Sequence, residues 1–214
     1  MKKEPGKQRA VCLVYGQTGS GKSVLARAVS QKMARAKRAP LIIVDTLDEY
    51  TDFPAIDLES LKAWICQNRG ADYRACRVLC EEEEHLEEAF NGIIQAYDTC
   101  PGPVVVLVDE VSYWTKPAYV APGLRQAIRY GRHYEINLVC VSRRPAETAR
   151  ELSGQATELR IFKCIEGRDL QYFSGSLPAE VVSKLPALGE HESLTYTFSG
   201  AYIIQPPVKI VQQG

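Results

Sequence analysis

Short continuous apolar runs alternate along this chain with longer segments whose apolar residues recur every three or four positions. The runs fall at 10–15 (AVCLVY), 41–45 (LIIVD), 76–80 (CRVLC), 103–110 (PVVVLVDE), 136–141 (INLVCV) and 158–164 (ELRIFKC), and each has strand length. Between them, helical periodicity predicts helices from 22 to about 37, stopped by Pro40, and over 58–67 (LESLKAWICQ). Another runs through EEEEHLEEAFNGIIQAY, where Leu86, Phe90, Ile93 and Ile94 share a face and acidic residues fill the electropositive first turn. A polar, aromatic loop after 110 leads into a helix near 123–130, and RDLQYFSG and AEVVSKL also read as helical. ESLTYTFSGAYIIQ predicts a terminal hairpin turning at Ser199–Gly200. Strands separated by helices imply an α/β fold, a mainly parallel sheet with helices on both faces and this hairpin at its end. No repeat or linker interrupts the pattern, so residues 10–214 are expected to form a single domain behind a short tail, 1–9.

Composition narrows the class. With 214 residues, 45% hydrophobic and 24% charged, the chain can bury a sizeable core. Its 26 basic and 26 acidic residues cancel, so any nucleic-acid contact must rest on local patches. No apolar run approaches the roughly 20 residues of a membrane helix. The start, MKKEPGKQRA, lacks the apolar core of a signal peptide. A soluble, cytoplasmic protein is therefore expected. The seven cysteines are odd in number and sit in apolar runs, which favours buried free thiols over a disulfide framework. Cys76, Cys80, His85 and Cys100 raise zinc, but the first two flank a strand-like RVL and no CxxC pair exists.

The chemistry enters with Gly16-Gln17-Thr18-Gly19-Ser20-Gly21-Lys22-Ser23, which fits G-x-x-x-x-G-K-[ST] without a mismatch. It lies where the pattern places a strand–loop–helix. Backbone N–H groups of such a loop form an anion cradle, and the helix adds its positive end. Lys22 is placed for the β- and γ-phosphates and the Ser23 hydroxyl for Mg²⁺, so a nucleoside triphosphate is the expected ligand. The most apolar strand ends in Asp109-Glu110. Asp109 suits the Mg²⁺ ion, directly or through water, and Glu110 suits a base that polarises an attacking water. Two strand signals, 41–45 and 76–80, separate the loop from this pair in sequence. That fits the P-loop division with an additional strand and a catalytic glutamate.

Three further stretches carry a resemblance. GRHYEINLVCVSRRP (131–145), IIVDTLDEY (42–50) and LPALGEHESLTY (185–196) resemble, in order, segments of the FtsK–HerA superfamily of DNA-pumping ATPases, and together they span nearly the whole chain. The resemblance implies a RecA-like core, ATP and Mg²⁺ as ligands, double-stranded DNA as partner and a homo-oligomeric ring, pentamer or hexamer. The chain has little room beyond the motor core, which suits a viral genome-packaging ATPase served by a portal or vertex protein, in the host cytoplasm or at the virion vertex. It departs from the family at the strand end, where relatives carry a sensor Gln and this sequence has Ser142 and Arg143. Ser142 would then bond the phosphate or water, or Arg143 would act as a sensor in cis or a finger in trans.

For the arginine that completes a neighbour's site, the candidates are Arg125, Arg129, Arg132, Arg143 and Arg144, and the family alignment favours Arg132. Lys116, in SYWTKPAY, is a candidate for gripping DNA phosphates in a ring channel, and packing at a subunit contact is the plainer reading of that loop. Asp45 and Glu49 read as strand-end capping or surface acids, and the alternative is that Asp48-Glu49-Tyr50 shapes the site near the nucleotide or the subunit contact. Two other classes stay open: a P-loop kinase or nucleotide-dependent transferase, which needs an acceptor pocket and an arginine lid, and a nucleotide-gated assembly or secretion adaptor.

Overall fold

Strands buried at every position sit at the centre of the molecule because helices cover both faces of the sheet they build. The computed structural model describes residues 9–208. In chain order the elements are β1 (Val11–Tyr15), α1 (Lys22–Lys37), β2 (Leu41–Asp45), α2 (Leu58–Gln67), β3 (Ala75–Leu79), α3 (Glu83–Thr99), β4 (Val104–Val108), β5 (Thr115–Lys116) and β6 (Tyr119–Val120). They continue as α4 (Pro122–Tyr130), β7 (Ile136–Ser142), α5 (Arg150–Ser153), β8 (Glu158–Phe162), α6 (Gly167–Ser174), α7 (Ala179–Val182), β9 (Ser193–Thr197) and β10 (Tyr202–Gln205).

Period-two alternation splits each central strand between two cores. Cys12, Val14, Leu41, Ile43, Leu107 and Val139 face Leu25, Ala26 and Ala34 of α1. Their alternates, among them Leu13, Ile42, Val106 and Leu138, face the apolar sides of α2, α3, α4 and α6. Phe90 of α3 is fully buried there, a side chain whose removal costs on the order of 3–5 kcal/mol. Ile94, expected on the same face, is only half-buried.

The eight strands are ordered β10-β9-β8-β1-β7-β4-β2-β3. Six run parallel, and β9 and β10 close one edge antiparallel as the expected hairpin, with Gly200 in the left-handed region at φ +95°. The strand between β1 and β4 in space is β7, which comes after both in sequence. The two strands read between them along the chain, β2 and β3, lie beyond β4 instead. Registers Tyr15↔Ser142 and Val108↔Cys140 bring the ends of β1, β7 and β4 to one edge.

Three features were not legible beforehand. Cys66, at the end of α2, is joined to Cys100, just after α3, by a disulfide with a Cα–Cα distance of 5.8 Å. This corrects the reading of all seven cysteines as free thiols; Cys12, Cys76, Cys80, Cys140 and Cys164 are free and buried. The aromatic loop after Glu110 folds into the small β5–β6 hairpin, with Trp114 buried beneath it. The tail expected at 1–9 lies outside the described residues except for Arg9, which donates to the carbonyls of Ala127, Ile128 and Ile136 at 2.7–3.0 Å. Those bonds pin the entry to β1 against the end of α4 and the start of β7.

A bond closing 34 residues stabilises a fold by about 3–4 kcal/mol. Alkylation of the denatured, unreduced protein is expected to modify five cysteines, and seven after reduction, read by mass spectrometry. Seven modifications without reduction would show that the α2–α3 bridge does not form.

Candidate active site

The loop Gly16–Ser23 leaves the end of β1 and turns into α1. Its backbone is set by three bonds: Gly16 N–H to the Ser142 carbonyl at 3.3 Å, Ser20 N–H to Gln17 at 3.2 Å and Leu25 N–H to Gly21 at 3.0 Å. Gly19 and Gly21 adopt φ of +81° and +93°, where a side chain is strained. At Gly16 a Cβ would stand 2.5 Å from Ser20 Oγ, so only glycine fits between the loop and β8. The first turn of α1 has no side-chain cap and no acidic residue. Its N–H groups and positive end are thus left for an anion. Lys22 is buried at that end and Ser23 half-buried beside it.

Across β7, Asp109 and Glu110 follow the end of β4, both buried. Asp109 is anchored by its main chain: its N–H donates to Val44 at 3.3 Å, and its carbonyl accepts from Thr46 Oγ1, also at 3.3 Å. Thr46 Oγ1 in turn accepts from Trp114 Nε1 at 3.2 Å, so the buried tryptophan braces the acid. Burial pushes the Asp109 carboxyl up to about 6, repulsion from Glu49 and Glu110 adds to it, and Lys22 opposes it. The phosphate-loop lysine and the acid pair therefore share one electrostatic environment. Glu110 sits at φ +47°, left-handed for a residue with a Cβ, which turns its side chain out of the strand line.

That side chain is fully engaged. Oε1 accepts from Ser112 Oγ at 2.7 Å and Arg143 N–H at 3.4 Å, and Oε2 from Arg143 Nε at 2.8 Å. Arg143 is half-exposed and the first residue after β7, so it stands between the loop and the acid. Ser142 is buried, its hydroxyl occupied by the backbone of Arg144 at 3.2–3.3 Å. Asp45 is also buried and takes N–H bonds from Glu49 and Tyr50 at 3.0 Å each and Nη1 of Arg77 at 3.1 Å, which shapes the turn that carries Glu49.

Hydroxyl and carboxylate oxygens are what a hard divalent cation takes, and Ser23 and Asp109 supply one of each on this edge. Among the described residues, no group of three or more His, Cys, Asp or Glu side chains is placed to hold a metal ion. The pair thus fits an ion that reaches the site with a phosphate.

Residues 10–96, covering the loop, α1, α2 and most of α3, match the family model of the helicase HerA central domain. The FtsK–HerA likeness is borne out. Protein P9 of Pseudoalteromonas phage PM2 is 28% identical over 146 residues, 67% of this chain, and the match spans 63% of that relative's length. Among solved structures, the genome-packaging NTPase B204 of Sulfolobus turreted icosahedral virus 2 with ATP-gammaS superposes with a TM-score of 0.79 at 21% identity, covering 94% of this chain and 98% of B204. The pCW3 conjugation coupling protein TcpA superposes at 0.60 with 14% identity, covering 92% of this chain and 60% of TcpA. These structural likenesses establish the P-loop NTPase fold.

On this P-loop NTPase fold the candidate arginines separate by place. Arg144 is held between Glu166 and Asp169. Arg125 and Arg129 are drawn to Glu151. Arg132 is exposed in the turn before β7 and makes no ion pair among the described residues. β7 is seven residues long, so Arg132 lies roughly 20 Å or more from its own phosphate loop, at the opposite edge. Lys116 is exposed on the β5–β6 hairpin. Sequence reasoning missed Ser112, Trp114, Arg77 and His191, whose Nδ1 lies 3.0 Å from the Ser20 carbonyl. Only Ser112 stands close to a motif.

A double-mutant cycle of Glu110→Gln and Arg143→Ala in urea, without added nucleotide, is expected to give a coupling of about 1 kcal/mol, given the half-exposed guanidinium. Additive effects would contradict the pairing.

Proposed function

We propose that this chain is an ATP-hydrolysing motor that moves double-stranded DNA, of the kind that packages a viral genome. The observation that supports it most is the convergence of Lys22 and the Asp109–Glu110 pair on one edge, with Arg143 between them. The HerA-type match and the likeness to a genome-packaging NTPase favour a motor over a kinase.

In this reading the loop N–H groups and Lys22 bind the triphosphate, and Ser23 and Asp109 hold Mg²⁺. When bound there, the ion would supply positive charge against the phosphates. Glu110 accepts the proton of the attacking water as the γ-phosphoryl bond to ADP breaks. Arg143 acts within its own subunit. A phosphate carries more charge than a carboxylate, so the γ-phosphate draws its guanidinium over and frees Oε2 of Glu110 for the water. Ser142, its hydroxyl engaged by Arg144, serves as the backbone acceptor that fixes Gly16. Arg132, out of reach of its own loop, reaches a neighbour's γ-phosphate in a ring, and Lys116 grips DNA phosphates. A portal or vertex protein would supply the docking point.

Purified protein is expected to release phosphate from ATP with Mg²⁺ and no acceptor, faster with duplex DNA. Lys22→Ala loses ATP binding or turnover. Glu110→Gln binds ATP as wild type, with turnover down about 10²–10⁴-fold. Full turnover of the glutamine variant would remove Glu110 from the role of base. A rate unmoved by duplex DNA would remove the motor reading while leaving the ATPase.

Arg132→Ala is expected to bind ATP and assemble, yet lose on the order of 10³-fold in turnover. Mixing it with Glu110→Gln subunits should restore part of the rate, because each variant supplies what the other lacks. An assembled Arg132→Ala ring at the wild-type rate would exclude this arginine.

A further inference from the structure

The β5–β6 hairpin touches two surfaces of opposite charge. On one side the Tyr119 hydroxyl donates to Glu83 Oε2 at 2.5 Å, at the start of α3. Glu81, Glu82, Glu84 and Glu88 are exposed around that helix start, and none of the five makes an ion pair among the described residues. Glu83 and Glu84 answer the positive end of α3. Glu81 and Glu82 precede the helix and Glu88 lies beyond its first turn, so the helix end does not account for them. On the other side Pro117 borders a groove of about 630 Å³ whose walls include Arg150 of α5 and Arg168 and Tyr172 of α6.

We propose that this groove receives the acidic α3 start of a second copy of the chain, with Arg150 and Arg168 pairing carboxylates that include Glu84 and Glu88. The inference rests on the ring reading above and adds which surfaces meet between subunits. Neither arginine has a carboxylate of its own among the described residues. The Arg150 guanidinium lies over the Tyr172 ring, 4.1 Å from its centroid, and Nη1 donates to Ser176 Oγ at 3.4 Å. A guanidinium held in this way loses little further freedom when it pairs. Arg168 is exposed beside it. The nearby acids Glu151 and Glu166 are taken by Arg129 and Arg144. The balance of 26 basic and 26 acidic residues thus conceals two unsatisfied patches of opposite sign.

The two surfaces differ, so the contact runs head to tail, which is the kind of contact that a closed ring repeats. A carboxylate suits these arginines better than a duplex does. Glu147, exposed between the groove residues Ala146 and Thr148, makes no ion pair and weakens the positive field that a polyanion would need. Pairing of single carboxylates with planar guanidinium groups tolerates such a neighbour. Because the groove and the α3 start both touch the hairpin, each copy would hold its hairpin, with Lys116, between its two contacts.

The test is charge reversal read by sedimentation velocity on the full chain, with and without duplex DNA, and with melting curves to show that each variant folds. Wild type is expected to self-associate, less so at high salt. Arg150→Glu/Arg168→Glu and Glu84→Lys/Glu88→Lys should each weaken self-association at least about 10-fold. Arg150→Gln/Arg168→Gln, which removes charge without reversing it, should fall between them and wild type. The chain carrying both reversals should assemble again, because groove and helix start are once more opposite in sign. Assembly untouched by either reversal, or no recovery in the combined variant, would overturn the contact and leave the ring standing. Untouched assembly with loss of DNA binding in Arg150→Glu/Arg168→Glu alone would also overturn it, and would give the groove to DNA. A wild-type chain that stays monomeric in every condition would remove the ring reading, and this contact with it.

Discussion

The insertion of β7 between β1 and β4 is the constraint on which the site depends. It sets the separation between an anion cradle and a pair of buried carboxylates, and it does so by rigid parallel pairing. The Gly16 N–H that bonds Ser142 fixes the start of the loop to the strand whose next residue grips Glu110. One peptide chain thus links the two halves of the chemistry through a handful of main-chain bonds. Remove that register and Lys22, Arg143 and Glu110 no longer share an edge.

Electrostatics on that edge is set by burial. Three carboxyls, those of Glu49, Asp109 and Glu110, stand near one another, and the Asp109 proton is held more tightly for it. Such an arrangement is costly without cations and favourable with them. Lys22 and Arg143 answer part of the charge, and a divalent ion with its phosphates would answer the rest. The left-handed backbone at Glu110 belongs to the same design, since strain of that kind persists where surrounding bonds over-determine it. Ser112, Arg143 and the Trp114–Thr46 brace supply those bonds.

What could be read from the sequence was local. The boundaries of β1, the glycine turn and α1 follow from an apolar run, glycines that tolerate φ above zero and helical periodicity, and α1 ends at Lys37 as the pattern suggests. The parallel sheet and the terminal hairpin were legible for the same reason. Partners distant in sequence were not. His191 meets Ser20 across 171 residues, and nothing near either position marks the other. Cys66 and Cys100 sit at the ends of two helices, and an odd count of seven hid one pair among five free thiols. Trp114 read only as part of a polar, aromatic loop, because burial under a small hairpin leaves no period to detect. That Arg143 pairs with Glu110 in its own subunit required the strand order, which local patterns do not contain.

The most direct measurement is a structure determined with Mg²⁺ and a non-hydrolysable ATP analogue. The terminal phosphate should lie within hydrogen-bond reach of Lys22 and Arg143, with a water held between it and a released Glu110. An analogue bound away from the loop, or a terminal phosphate with no water between it and Glu110, would contradict the account.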